Sequence, residues 1–148
     1  MIAKFGLVLL AVSIALCGGC TNNNIDASGE LAPQAKPPIA DVPMPMGFTF
    51  EEARSRHNVS PGGIKFIDHV YTGPAEKFAV ARFFRKQMPL SGWQARPEVL
   101  AQGIMTLEFE KEADTCRVVL TDAGMFKDHT EIQIQLYPHG RTDSGPRK

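Results

Sequence analysis

The sequence predicts an α+β domain in which a single helix packs across a twisted antiparallel sheet, two layers in all, in the order β-β-α-β-β-β-β. Three observations predict it. Three segments near the C-terminus alternate apolar and polar residues, the mark of strands with one buried and one solvated face. One upstream stretch repeats apolar residues at helical spacing. The connections between the C-terminal strands are too short for the crossover that a parallel pair needs.

In chain order, residues 48–56 read as a weak strand. Residues 64–71 (IKFIDHVY) read as a stronger one, being rich in β-branched and aromatic residues after the turn signal Pro61-Gly62-Gly63. The helix is predicted over 74–88, with Gly73 at the N-cap, Pro74 at the first helical position and Glu76 in the first turn. Arg85 and Lys86 suit its last turn, and Pro89 stops it. Val80, Phe84 and Met88, joined by Ala81, form the stripe that must bury against the sheet. Residues 93–96 open a strand after Gly92, which Pro97 confines to an edge or ends early. The last three strands present Met105, Leu107 and Phe109, then Cys116, Val118 and Leu120, then Ile132, Ile134 and Leu136 to the core. Trp93 at the corner between helix and strand reads as a core anchor.

The flanks are of another kind. Lys4 precedes the apolar run of residues 5–16 (FGLVLLAVSIAL), and small residues follow, so residues 1–19 read as a secretory signal peptide. The run falls short of the roughly 20 residues that span a bilayer as a helix. Residues 20–46 hold five prolines after Cys20 and no aromatic residue, the composition of a disordered tether with a reach on the order of 30 Å. The folded domain then occupies 47–138, and 139–148 (HGRTDSGPRK) is expected to be a disordered tail. Over the whole chain 16 Lys and Arg balance 16 Asp and Glu, which argues against a basic nucleic-acid binder.

Cys17-Gly18-Gly19-Cys20 closes the apolar run and resembles a bacterial lipobox, with Cys17 where Leu is preferred. The resemblance implies that Cys20 is acylated and becomes the mature N-terminus, anchoring the chain to a membrane; the alternative is ordinary signal cleavage to a soluble periplasmic protein. Thr21, where inner-membrane retention uses Asp, implies the outer membrane with the domain facing the periplasm. The stretch Asp41-Val42-Pro43-Met44-Pro45-Met46-Gly47-Phe48, followed by Tyr71-Thr72-Gly73, Phe83-Phe84 with Met88, Gly92-Trp93, Phe109-Glu110-Lys111 and Cys116, resembles a family of small, uncharacterised bacterial lipoproteins. That resemblance implies location and fold and no chemistry.

Chemical constellations are sparse. The histidines His57, His69, His129 and His139 lack zinc-ligand spacing, so no metal and no cofactor is expected. Cys116 shares the inward phase of Val118 and Leu120 and reads as a core thiol. There is no Gly-x-Ser-x-Gly elbow and no phosphate loop. The chain therefore reads as a non-enzymatic interaction or envelope-structural module with a protein partner in the envelope. Two contact surfaces are expected. One is the helix side with Phe78, Arg82, Arg85 and Lys86, away from the apolar stripe. The other is the hairpin tip with Met125 and Phe126. The alternative function is a carrier of a small apolar ligand lying between helix and sheet, against Val80, Phe84, Met88, Leu107 and Phe109.

Overall fold

Eight strands form one antiparallel sheet with a single α-helix lying across it, in a computed structural model that describes residues 24–26, 29–60, 65–124 and 128–139. The strands are β1 (Thr49–Phe50), β2 (Arg56–Val59), β3 (Lys65–Gly73), β4 (Gln94–Ala95), β5 (Val99–Ala101), β6 (Ile104–Lys111), β7 (Asp114–Asp122) and β8 (Thr130–Pro138). Helix α1 (Lys77–Leu90) joins β3 to β4. The sheet order is β1-β3-β8-β7-β6-β4, with β2 also paired to β3 and β5 to β6. The α+β two-layer class read from the alternation is thus the observed one.

Register puts the three long C-terminal strands in phase. Leu107 faces Val118, which faces Ile134, while the next row outward sets Glu108 against Arg117 and Gln135. Every second residue of each strand therefore points to one face, and those side chains join Ile67 and Tyr71 of β3 in the core. The predicted strand over 48–56 is in fact two short ones. A 3₁₀ turn at Glu52–Arg54 parts them, and the Ser55 hydroxyl fills the gap in the ladder, accepting from the Val70 amide at 3.0 Å and donating to the Glu51 carbonyl at 2.7 Å. Strand β5 was not expected. It is three residues long, and Gln102 and Gly103, both with positive φ, turn it back onto β6.

The helix begins three residues later than predicted. Gly73 is not its cap: it pairs with Thr130 as the last residue of β3, and the Phe48 ring lies 2.6 Å from where a β-carbon at Gly73 would sit. Glu76 caps the helix instead, its carboxylate accepting from the amides of Phe78 and Ala79. Nor does Pro89 stop the helix; it lies within its last turn. The stop is Gly92, at φ +86°. Its amide bonds the Pro89 carbonyl at 3.0 Å and the Trp93 amide bonds that of Met88 at 3.1 Å. These are the two bonds of a Schellman cap, and buried Trp93 and Met88 supply the hydrophobic contact that goes with it.

The largest departure lies upstream. The Pro-rich segment from Leu31 to Met46 is ordered and packed on the domain, with Ile39, Val42 and Met44 buried in the same core as α1 and the sheet. It folds back on itself through bonds from Gln34 N to Met44 O (2.8 Å), Met46 N to Ala32 O (2.8 Å) and Val42 N to Ile39 O (3.2 Å). Its non-proline residues donate these bonds, so the missing amide hydrogens of the prolines cost nothing there, and their pre-set φ lowers the entropy lost on ordering. The expected tether over 20–46 is therefore corrected for its C-terminal part, which is a strap and part of the fold. Helix α1 packs on β4, β6 and β7, while Ile39 of the strap shares the buried core with Ile67 and Leu136 of the β3–β8 half, where Pro38 and Ala40 border a cavity of about 250 Å³. The layer opposite the sheet thus has two parts. At the other end, His139 extends the β7–β8 pairing by donating to the Ala113 carbonyl at 2.9 Å. The expected leader (1–19) and the rest of the expected tail (140–148) lie outside the described residues.

Candidate functional site

The helix face is built as expected in outline and differs in charge. Phe78 is 45 % exposed, and Arg82, Arg85 and Lys86 are all exposed beside it. Two of the three cations are already used. Arg85 makes a bidentate pair with Glu98 at 2.8 and 2.9 Å, and Lys86 pairs with Glu30 of the segment ahead of the strap. Arg82 makes no ion pair among the described residues. It borders a cleft of about 320 Å³ where Asn24, Ile25 and Leu31 meet Pro74, Ala79 and Phe83. The helix therefore does not present a free three-cation patch. Cys20 and the Met125-Phe126 tip lie outside the described residues.

The side chains expected to line a carried ligand are core residues among the described ones. Val80, Phe84, Met88, Leu107 and Phe109 are each buried and packed on one another in the core, and the pockets of the described residues are lined by other side chains. Cys116 is fully buried, and burial pushes its thiol up to about 12, which disfavours the thiolate at neutral pH.

The outer face of the sheet carries a feature that sequence reading missed. An open groove of about 990 Å³ runs across β2, β3, β8 and β7, bordered by Arg56, Asn58, Phe66, Asp68, Arg117 and Tyr137. Phe66 is half exposed at its edge. Opposite it, Glu108 accepts from Arg117 (3.1 Å) and from the Tyr137 hydroxyl (3.2 Å), and the Arg117 guanidinium lies 5.7 Å from the centre of the Tyr137 ring. Gln133 donates to Asp68 at 2.7 Å. These cross-strand bonds tie Arg117, Tyr137 and Asp68 to neighbouring strands, so a bound surface would meet the Phe66 edge beside an Arg117 guanidinium already held in place. The signal for it was available: Phe66 is a large aromatic on the solvent phase of an alternating strand.

A third cluster lies on the inner face, at the edge where the strap replaces the helix. The rings of His57 and His69 are 5.8 Å apart, Phe50 meets His69 edge-on at 4.9 Å, and His69 Nδ1 lies 3.0 Å from the Tyr71 hydroxyl. Burial holds His69 below the ordinary imidazole range; His57 adds to that shift and Asp68 opposes it. Burial also pushes the Tyr71 phenol up to about 12. Both groups are thereby kept neutral near pH 7, and His57 and His69 border, with Pro38 and Ile39, a cavity of about 250 Å³ at the polar edge of the core. No group of three His, Cys, Asp or Glu side chains among the described residues is placed to hold a metal ion. No helix among the described residues is long and apolar enough to cross a membrane.

The motif residues scattered along the sequence meet in space. The Trp93 indole donates to the Asp41 carbonyl at 2.8 Å, the Lys111 ammonium reaches the Asp41 carboxylate at 3.2 Å and the Ser91 carbonyl at 2.9 Å, and Phe48 lies on Gly73. The bonds of Trp93 and Lys111 to Asp41 fasten the strap to the corner after the helix. No family model, curated protein or solved structure matches this chain.

Proposed function

We propose that this chain is an exported bacterial lipoprotein, acylated at Cys20 and held on the periplasmic side of the outer membrane, whose domain acts by binding an envelope protein rather than by catalysis. The observation that carries the reading is the leader itself: a positive start, an apolar run of membrane-insertion character and Cys17-Gly18-Gly19-Cys20 at its end. Several acyl chains, at about 0.8 kcal/mol per buried CH₂, hold a protein on a bilayer where one chain alone is reversible. The resemblance to small bacterial lipoproteins supports the same reading. For the binding surface, the outer groove with Phe66, Arg56 and Arg117 is favoured over the helix, because an exposed aromatic beside guanidinium groups is the composition of interface anchors.

Two readouts test it. A clickable fatty acid fed to the producing cells should label the chain, and Cys20→Ser should lose the label and the partition into detergent. A label that survives Cys20→Ser, or a mature N-terminus elsewhere, overturns the anchor. A photo-crosslinking residue at position 66 should trap an envelope protein, and Arg117→Ala should weaken that trap without lowering the melting temperature by more than a surface substitution does. Equal trapping from position 78 and none from position 66 would return the site to the helix.

A further inference from the structure

Docking of the strap changes where the anchor leaves the domain. Had residues 20–46 been free, the domain could stand tens of ångströms off the bilayer. Instead the segment from Asn24 is already on the protein. The Ala32 amide bonds the Asn24 carbonyl at 3.0 Å, Ile25 bridges Leu31, and Glu30 is paired with Lys86 of α1. Four residue steps separate Cys20 from Asn24, so the acylated residue cannot lie more than about 14 Å from it even with that stretch fully extended. Asn24 and Ile25 border the same cleft as Glu76, Ala79 and Arg82 of the first turns of α1.

We infer that the exposed side of α1 is the face of the domain that lies against the phospholipid surface; this rests on the anchor reading above. The composition of that side fits an interfacial contact. Phe78 is exposed near its start, Leu90 is exposed at 76 % at its end, about a third of a turn round the axis from Phe78, and Ile25 is exposed beside its start. Between the two ends stand Arg82, which has no ion pair among the described residues and can meet a headgroup phosphate, and Arg85 and Lys86, neutralised by Glu98 and Glu30. Apolar tips enter the headgroup zone while long cationic stems lie along it. With so little free charge, the contact needs the anchor and depends weakly on anionic lipid. The outer groove of the sheet lies on the opposite face and is left open to the periplasm.

The test uses the full lipidated chain in vesicles of phosphatidylethanolamine and phosphatidylglycerol doped with a nitroxide-headgroup lipid. One fluorophore is placed on Phe78→Cys, Leu90→Cys or, on the outer face, Asn58→Cys, and buried Cys116 stays unlabelled. Flotation reports the anchor independently of orientation. The expected result is severalfold stronger quenching at positions 78 and 90 than at 58, lost at position 90 when Phe78→Glu is added while flotation persists. A floating protein with quenching at 58 equal to or above that at 78, or with none at any position, overturns the inference and leaves the anchor standing. Concentration-dependent self-quenching at 78 without nitroxide quenching shows a second copy on that face and overturns it too. A chain that does not float refutes the anchor and this orientation together.

Discussion

Met44 is the sharpest probe of the strap. Its side chain is 1 % exposed and sits in the same core as α1 and the sheet, although it belongs to a Pro-rich stretch with the composition of a linker. Met44→Ala removes a buried thioether side chain from a site hemmed by Pro43 and Pro45, whose fixed φ limits how far the backbone can collapse into the space. Large-to-small changes of this kind cost about 2–5 kcal/mol, and a value of about 3 kcal/mol in a domain of this size lowers the melting temperature by roughly 15 °C. Lys36→Ala, on an exposed position of the same strap, is the control and should stay within about 0.5 kcal/mol of wild type. Urea unfolding followed by fluorescence suits the purpose, because the chain has one tryptophan and the Trp93 indole is bonded to the strap at Asp41. The expected outcome is a lower urea midpoint with an unchanged slope, since the surface exposed on unfolding is nearly the same. If Met44→Ala and Lys36→Ala share one midpoint, the strap is not part of the cooperative fold, and the anchor-to-helix distance argued above fails with it.

Stability should fall on acidification through the histidine range, and His69→Gln should flatten that fall. His69 is held below its unfolded value, so the unfolded chain binds the proton first; the stabilisation is complete above about pH 6.5 and is lost as pH drops from there through the lower folded value. A urea midpoint independent of pH between 7 and 5, or an equal slope in His69→Gln, would contradict this. Asp122→Ala should cost about 2 kcal/mol, because it leaves the buried Lys77 ammonium with only the Gly103 carbonyl, at 2.6 Å, of its two partners. Lys77→Met keeps the apolar stem and removes the charge, so it should cost less; the reverse order in denaturation would show that the packing, not the stranded charge, is what matters there.

Much of the fold was legible because its long strands obey a simple rule. With one face buried and one wet, β6, β7 and β8 print their register as alternation, and Leu107, Val118 and Ile134 could be placed on one face before any coordinates. The helix stripe was legible for the same reason, as was the inward phase of Cys116. Boundaries were less so. Gly73 before Pro74 has the local look of a helix start, and only the Phe48 ring, 25 residues earlier, shows that this glycine serves a close approach within the sheet. Pro89 looks like a stop, yet it lies inside the last turn, and the stop is built three and four residues later by the amides of Gly92 and Trp93. Candidate surfaces were partly legible. The exposure of Phe78 followed from helical phase, but the partners of Arg85 and Lys86 lie 13 and 56 residues away, beyond any local pattern.

The sequence by itself determined the fold class, the phase of each long strand and the buried stripe of the helix. Each of these is written in neighbouring residues, where periodicity of two or near four reports which side meets water. Only the tertiary structure decided that the Pro-rich segment is a strap, that two helix cations are spent on internal pairs, and that an open groove crosses the outer face of the sheet. Those outcomes depend on what lies opposite a side chain. Ile39, Val42 and Met44 are too few to make a core of their own, and they bury because the sheet and α1 together offer apolar surface that would otherwise face solvent.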